Sequence, residues 1–189
     1  RRLALTENPL EGDVPDDFDA ILPQKVVNEL IRVLKGDGDL VISVSDARAS
    51  FVFNNTLITT KLVEGNYPNY RQVIPSNFTN SAVLPRTTLA TVLSRVRMVV
   101  SESNKSVLLN LENAKATISA SSPQFGEASE PMEVSYEGSP FEISLDPIFV
   151  AEPLRQMESD QIILQFNDQF SPMSISGDEG FLYVIMPLR

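Results

Sequence analysis

One pattern of elements starts three times along this chain, and that repetition limits what it can fold into more than any single motif does. FDAILP, at 18–23, reads as a short strand. PQKVVNELIRVLKG reads as a helix, with Val26, Val27, Leu30, Ile31 and Leu34 on one apolar stripe and Gly36 as its stop. DLVISVSD, ASFVFNN and TLITTKLV follow as strands rich in β-branched and aromatic residues. The order then restarts with SAVLP as a strand and RTTLATVLSRVRMVVS as a helix that turns Leu89, Val92, Leu93 and Val96 inward. SVLLNLEN, KATISAS and PMEVSYEG come next as strands, with polar SSPQFGEASE read as a loose loop. A third start runs FEISLD, then the helix PIFVAEPLRQM, then the strands DQIILQF, PMSIS and FLYVIMPLR. Asp146-Pro147 suits a helix N-cap and first turn, while Pro153 should kink or shorten that helix.

The first and third units align best. FDAILPQKVVNELIRVL falls on FEISLDPIFVAEPLRQM, and Asp39-Leu40-Val41-Ile42 on Asp160-Gln161-Ile162-Ile163, with Asp46 and Asp168 closing the two strands. A period of roughly 50–65 residues is too long for a solenoid or heptad and fits duplicated α+β units. A single unit cannot bury both its helix and its sheet face, so units should pair into domains of antiparallel sheet with helices on one face. Three units, with RRLALTE as the tail of a fourth, predict a domain lacking its front half over residues 1–75, including a linker. A complete domain is expected over residues 76–189.

Chemistry is narrowed by what is missing. The chain has no histidine and no cysteine, which removes Ser-His-Asp and Cys-His catalysis and the usual zinc sites. An enzyme built from it would depend on carboxylates, lysine or tyrosine, so a non-catalytic role without cofactor or metal is favoured. The alternative is a carboxylate-dependent β-rich hydrolase using Asp37, Asp39 and Asp46, or Asp160 and Asp168. Loop Asp-Gly and strand-end Asp are, however, ordinary turn formers, and nothing in the sequence makes these groups converge. A purely structural or adhesive β-rich module is disfavoured by the recurring amphipathic helices. The net charge of −10 repels nucleic acid unless the basic groups gather on one face. The absence of cysteine fits a reducing compartment, no signal peptide is visible at the start, and no apolar run approaches the ~18 residues of a membrane span.

One connection is overbuilt. EGNYPNYRQVIP, at 64–75, places two tyrosines, two prolines and an arginine where a chain reversal needs little aromatic surface. Together with RRLAL at 1–5 and YVIMPLR at 183–189, the segment KLVEGNYPNYRQVIP resembles the bacterial DNA polymerase III beta subunit, the sliding clamp family. The resemblance spans the whole chain and keeps the motifs in order.

It implies a DNA-clamp fold with three like domains per subunit, and two subunits head to tail around duplex DNA. Residues 1–75 would be the latter part of the middle domain, and 76–189 the whole third domain. The function implied is that of a non-catalytic processivity factor, cytoplasmic and nucleoid-associated. It would tether the DNA polymerase III alpha subunit, the clamp loader, and other polymerases and repair proteins through short apolar-ended peptides. The peptide pocket would fall on Arg2, Leu3, Pro68, Gln72, Val73, Phe149, Phe170, Pro172, Val184, Ile185, Met186, Pro187, Leu188 and Arg189. Lys25, Arg32 and Lys35 on the first helix and Arg86, Arg95 and Arg97 on the second would face DNA. Met98, and an exposed Val99 and Val100, would meet a neighbouring subunit. Gln72 stands where many members carry arginine, and Pro172 where serine is common. Lacking a first domain, the chain would be a monomer or an adventitious dimer.

Overall fold

The structure is a computed structural model and describes residues 1–9, 18–102 and 104–188. In chain order the elements begin with β1 (Arg2–Thr6), α1 (Gln24–Val33), β2 (Leu40–Ser45), β3 (Arg48–Phe53) and β4 (Thr56–Lys61). Next come β5 (Asn80–Pro85), α2 (Arg86–Val96), β6 (Val107–Glu112), β7 (Lys115–Ser122) and β8 (Gly126–Glu133). The series ends with β9 (Phe141–Leu145), α3 (Pro147–Gln156), β10 (Gln161–Phe166), β11 (Met173–Ser176) and β12 (Phe181–Ile185). They form two units, a small one of Leu10–Asn69 and a large one of Arg1–Pro9 with Tyr70–Arg189.

In the large unit, two of the repeats interlock. β5 of the first pairs antiparallel with β10 of the second, and β9 of the second pairs antiparallel with β6 of the first. Each repeat thus lends its opening strand to the other's sheet, giving the orders β1-β12-β11-β10-β5 and β8-β7-β6-β9. Val83 and Ser135 exchange two 2.9 Å backbone hydrogen bonds that join the sheets. Helices α2 and α3 meet each other over one continuous core. Leu84, Leu89, Leu93, Leu111, Ile143, Leu154, Ile162, Leu164 and Phe166 are all fully enclosed there. The antiparallel α+β architecture expected from the repeat is therefore the one observed.

The small unit holds one repeat. α1 covers the sheet β2-β3-β4, and Val26, Ala49 and Phe51 form its buried core. Register places Leu40, Ile42 and Val44 opposite Phe53, Phe51 and Ala49, so the face of β2 that carries these three is the interior one. The apolar stripe of α1 is nevertheless only partly used: Val26 is 5% exposed but Ile31 is 69%.

Three local readings need correction. FDAILP forms no strand; its one described backbone ladder bond runs from the Val63 N–H to the Ile21 carbonyl at 2.9 Å, and a single contact does not make a ladder. SSPQFGEASE is no loose loop but the turn of the β7–β8 hairpin, with Ser122 paired to Gly126. Gly126 takes φ +85°, the left-handed conformation that closes such a three-residue connection. Pro131 inside β8 is tolerated because β8 is an edge strand. Finally, Pro153 does not stop α3, which continues to Gln156 while the Met157 N–H reaches the Pro153 carbonyl at 3.1 Å. The Asp146 cap forms as expected, accepting from the Ile148 N–H at 2.9 Å.

Candidate functional site

The end of the five-stranded sheet gathers most of the residues expected to line a peptide pocket. β1 runs antiparallel to β12, with Arg2 opposite Ile185 and Leu3 opposite Val184, while β11 on the other side sets Met173 opposite Ile185. Both ends of β1 are fastened: the Met186 N–H donates to the Arg1 carbonyl and the Glu7 N–H to the Gly180 carbonyl, each at 2.9 Å. Gly180 has φ +70°, and an added Cβ would press into the Glu7 carbonyl oxygen. Gly180→Ala is therefore expected to cost about 1–3 kcal/mol through strain and loss of the β1 attachment, read as a lowered urea midpoint with unchanged slope.

From that edge the Arg2 side chain reaches α3. Its guanidinium lies 4.1 Å from the Phe149 ring centroid, and its Nε is 3.1 Å from Glu152 Oε2. Phe149 and Glu152 are one helical turn apart and so share a face. The Tyr183 hydroxyl donates to the same Glu152 oxygen at 3.4 Å. With side chains 41% and 38% exposed, the Arg2–Glu152 pair contributes little stability of its own. Its effect is to hold Arg2 flat on Phe149, creating a stiff patch that is cationic at one edge and aromatic beneath.

Burial pushes the Tyr183 hydroxyl up to about 12, with the Glu152 charge adding to the effect. The neutral form is thus favoured on folding, and the associated stability is present below the ordinary tyrosine value of ~10 and lost as pH rises through about 12. In an alkaline absorbance titration, Tyr183→Phe is expected to remove a late-ionising component and to flatten the loss of stability across that window.

Around this patch Met186 is 38% exposed, Phe170 59% and Val73 53%, while Leu3, Phe149, Pro172, Pro187 and Leu188 are half-buried. Phe170 is presented by a turn built on Asp168, whose Oδ1 accepts from the Phe170 and Ser171 N–H groups at 2.8 Å and whose Oδ2 accepts from Ser171 Oγ at 2.7 Å. The Ser171 hydroxyl and the Phe170 N–H hold that carboxyl below the usual range. Leu188 is anchored by its N–H to the Ser144 carbonyl at 2.9 Å. Gln72 and Val73 lie on a 3-10 turn, Tyr70–Val73, where Arg71 reaches Glu7 at 3.6 Å beside the end of β1.

Not every expected residue offers surface. Val184 and Ile185 are 4% and 0% exposed, so they position β12 from within the core. Pro68 is exposed in the small unit, and Arg189 lies outside the described residues. Glu152 and Tyr183, which fix Arg2, were not singled out for the pocket; the one available signal was the three-residue spacing of Phe149 and Glu152.

The basic residues divide by partner. Lys25 and Lys35 are exposed, and Arg32 is held by Glu29 at 2.7 Å, one turn away. Arg95 makes a two-pronged contact with Glu130, whose hydrogen bonds raise its pKa. Arg86 is employed internally, donating from Nε to the Ser159 carbonyl at 2.6 Å and from Nη1 to the Leu154 carbonyl at 3.0 Å. Arg97 is exposed on the 3-10 turn after α2, and Met98 beside it is 72% exposed. Val99 and Val100 are not exposed as expected; they are half-buried against the large unit's own core. Among the described residues no group of three or more His, Cys, Asp or Glu could hold a metal ion.

Comparison with known proteins gives the family. Residues 1–69 match the family described as DNA polymerase III beta subunit, central domain, and residues 71–189 the C-terminal domain of the same subunit. The chain is 31% identical over 191 aligned residues to the beta sliding clamp of Caulobacter vibrioides, covering 100% of this chain and 51% of that relative. It is 30% identical to the beta sliding clamp of Chlamydia trachomatis, covering 45% of it. Among solved structures, the C. crescentus beta sliding clamp superposes with a TM-score of 0.92 at 32% identity, over 100% of this chain and 51% of the other. The sliding clamp of Bartonella birtlesii bound to griselimycin gives 0.93 at 27% identity, over 100% and 52%. The chain spans about half the length of the curated relatives it matches.

Proposed function

The chain belongs to the DNA polymerase III beta-subunit family, and from that premise we propose that it is part of a non-catalytic processivity factor. In this reading two full-length subunits form a ring around duplex DNA. Residues 1–75 supply the latter part of the middle domain and the linker, and residues 76–189 the third domain. The ring works in the bacterial cytoplasm, at the nucleoid.

The observation that carries the proposal is the sheet end where Arg2 lies flat on Phe149 with Met186 exposed beside it. Polymerases, the clamp loader and repair proteins dock there through a short peptide with apolar terminal side chains. Met186, Leu188, Leu3, Phe170 and Pro172 offer adaptable apolar surface, and Gln72 and Val73 supply a further wall. Val184 and Ile185 support that surface from behind, with Pro187 at its margin. Gln72 donates and accepts without charge, so it orients a peptide amide rather than pairing with a carboxylate.

DNA is held without being gripped. Lys25, Lys35 and Arg97 are the cations that best suit loose phosphate contact, while Arg32 and Arg95 share their charge with Glu29 and Glu130. Such contacts are independent of sequence and weaken with salt. Arg86 is left out because its guanidinium is committed to backbone carbonyls. Met98 is the apolar contact to a neighbouring subunit, with Val99 and Val100 behind it.

The test is an NMR titration of the chain with a Gln-Leu-x-Leu-Phe-type peptide. Amide shifts confined to Arg2, Leu3, Gln72, Val73, Phe149 and Met186 support the reading. Shifts spread over the β6–β8 surface would reject it.

A further inference from the structure

We propose that Asn167 is a positioning residue for the peptide pocket: its carboxamide fixes the linker that carries Gln72 and Val73 to the turn that carries Phe170, and so sets the separation of two pocket walls. The inference rests on the docking reading and goes beyond it, by assigning a residue that acts on the site without lining it.

Asn167 stands where a ladder ends. β10 and β5 pair antiparallel up to Phe166 opposite Asn80, and there the two chains part. One continues through the turn 167–172 toward β11, and the other runs back into the linker. The Asn167 side chain carries the pairing one step further. Its Oδ1 accepts from the Thr79 N–H at 2.7 Å and from Thr79 Oγ1 at 3.1 Å. Its Nδ2 donates to the Asn77 carbonyl at 2.9 Å. A single side chain thus offers an acceptor and a donor to a backbone N–H and a carbonyl two residues apart, as a neighbouring strand does. Asn80 tightens the junction by donating from Nδ2 to the Asn167 carbonyl at 3.3 Å and to Thr79 Oγ1 at 3.0 Å.

Both walls hang from this junction. On the linker side Val73 stands four residues before Asn77. Pro75, with its fixed φ, lies between them, and both Ile74 and Pro75 are half-buried. On the turn side the next residue, Asp168, accepts from the Phe170 and Ser171 N–H groups and so presents Phe170. Consecutive side chains therefore tie down two exposed apolar groups, Val73 at 53% and Phe170 at 59%. Asparagine is the residue the junction requires. Aspartate keeps the acceptor for Thr79 but turns a carboxylate toward the Asn77 carbonyl, and alanine loses both bonds.

Fluorescence polarisation with a labelled Gln-Leu-x-Leu-Phe-type peptide tests this on the parent, Asn167→Ala and Asn167→Asp. Both substitutions are expected to weaken binding about 3- to 10-fold. Asn104→Ala breaks a comparable set of bonds before β6, to the Ser121 carbonyl at 3.0 Å and Ser106 Oγ at 2.8 Å, and should leave binding unchanged. A double-mutant cycle with Val73→Ala separates positioning from general loosening. Val73→Ala should weaken the parent yet add little once Asn167→Ala has released the linker. In the free chain, Asn167→Ala should shift the Gln72, Val73 and Phe170 amide resonances and leave circular dichroism unchanged. Parent-like affinity in both Asn167 variants, unshifted amides, or additive costs with Val73→Ala would overturn the proposal and leave the docking reading intact. A parent chain that does not bind the peptide would overturn both.

Discussion

Phe166→Ala is expected to destabilise the large unit by about 3–5 kcal/mol, the usual cost of deleting a buried aromatic ring. Phe166 is 0% exposed, and its ring stacks on Phe141 at 4.1 Å and lies 6.1 Å from Tyr136. It stands on β10, the strand through which the second repeat joins β5 of the first. Truncation would leave a cavity where the two repeats interlock, and the rigid strands around it could not close in. Calorimetry should show the main transition lowered by roughly 10–20 °C. Phe170→Ala, four residues on but 59% exposed, should stay within about 0.5 kcal/mol of the parent. A small shift for Phe166→Ala would mean that the interlock contributes less than its burial implies.

Arg2→Glu should be the most damaging single change at the proposed pocket that leaves the core alone. The new carboxylate would face Glu152, lose the stacking on Phe149, and swing away from the ring. The arginine–aromatic contact at a partly exposed site is worth about 0.5–2 kcal/mol, and the like-charge repulsion adds to its loss. Peptide affinity should therefore fall roughly 10- to 100-fold, with little change in melting temperature because the pair is solvent-screened. Glu152→Gln separates the contributions. It removes the positioning charge but keeps the cation over the ring, and should weaken binding by only a few-fold. Equal losses from the two variants would place the importance in the ion pair rather than in the arginine–aromatic platform.

Much of the fold was legible because the apolar periodicity was repeated. Leu89, Val92, Leu93 and Val96 form the buried stripe of α2 as their spacing requires, and Asp146 caps α3. The failures share a physical cause, in that they depend on partners distant in sequence. The stripe of α1 predicts Ile31 inside, yet burial needs a facing repeat, and the small unit has none among its described residues. SSPQFGEASE looks like a loop because its strand half is polar; only pairing with β7 at the sheet edge makes it β8. For the site, RRLAL and YVIMPLR were separable motifs in sequence, and the β1–β12 register is what sets them side by side. Glu152 and Tyr183 escaped because their use is to hold Arg2, which no spacing along the chain reveals. Arg86 departs for the opposite reason: its position on α2 suits an outward cation, but the Ser159 and Leu154 carbonyls claim it.

The central claim is that the sheet end formed by Arg2, Phe149 and Met186 is a docking site for an apolar-ended peptide. Fluorescence polarisation with a labelled Gln-Leu-x-Leu-Phe-type peptide tests it most directly. Saturable binding in the micromolar range is predicted, with Met186→Asp or Leu3→Asp abolishing it and a matched core control, circular dichroism, unchanged. No binding at high micromolar concentrations, or binding that both substitutions leave intact, would contradict the account.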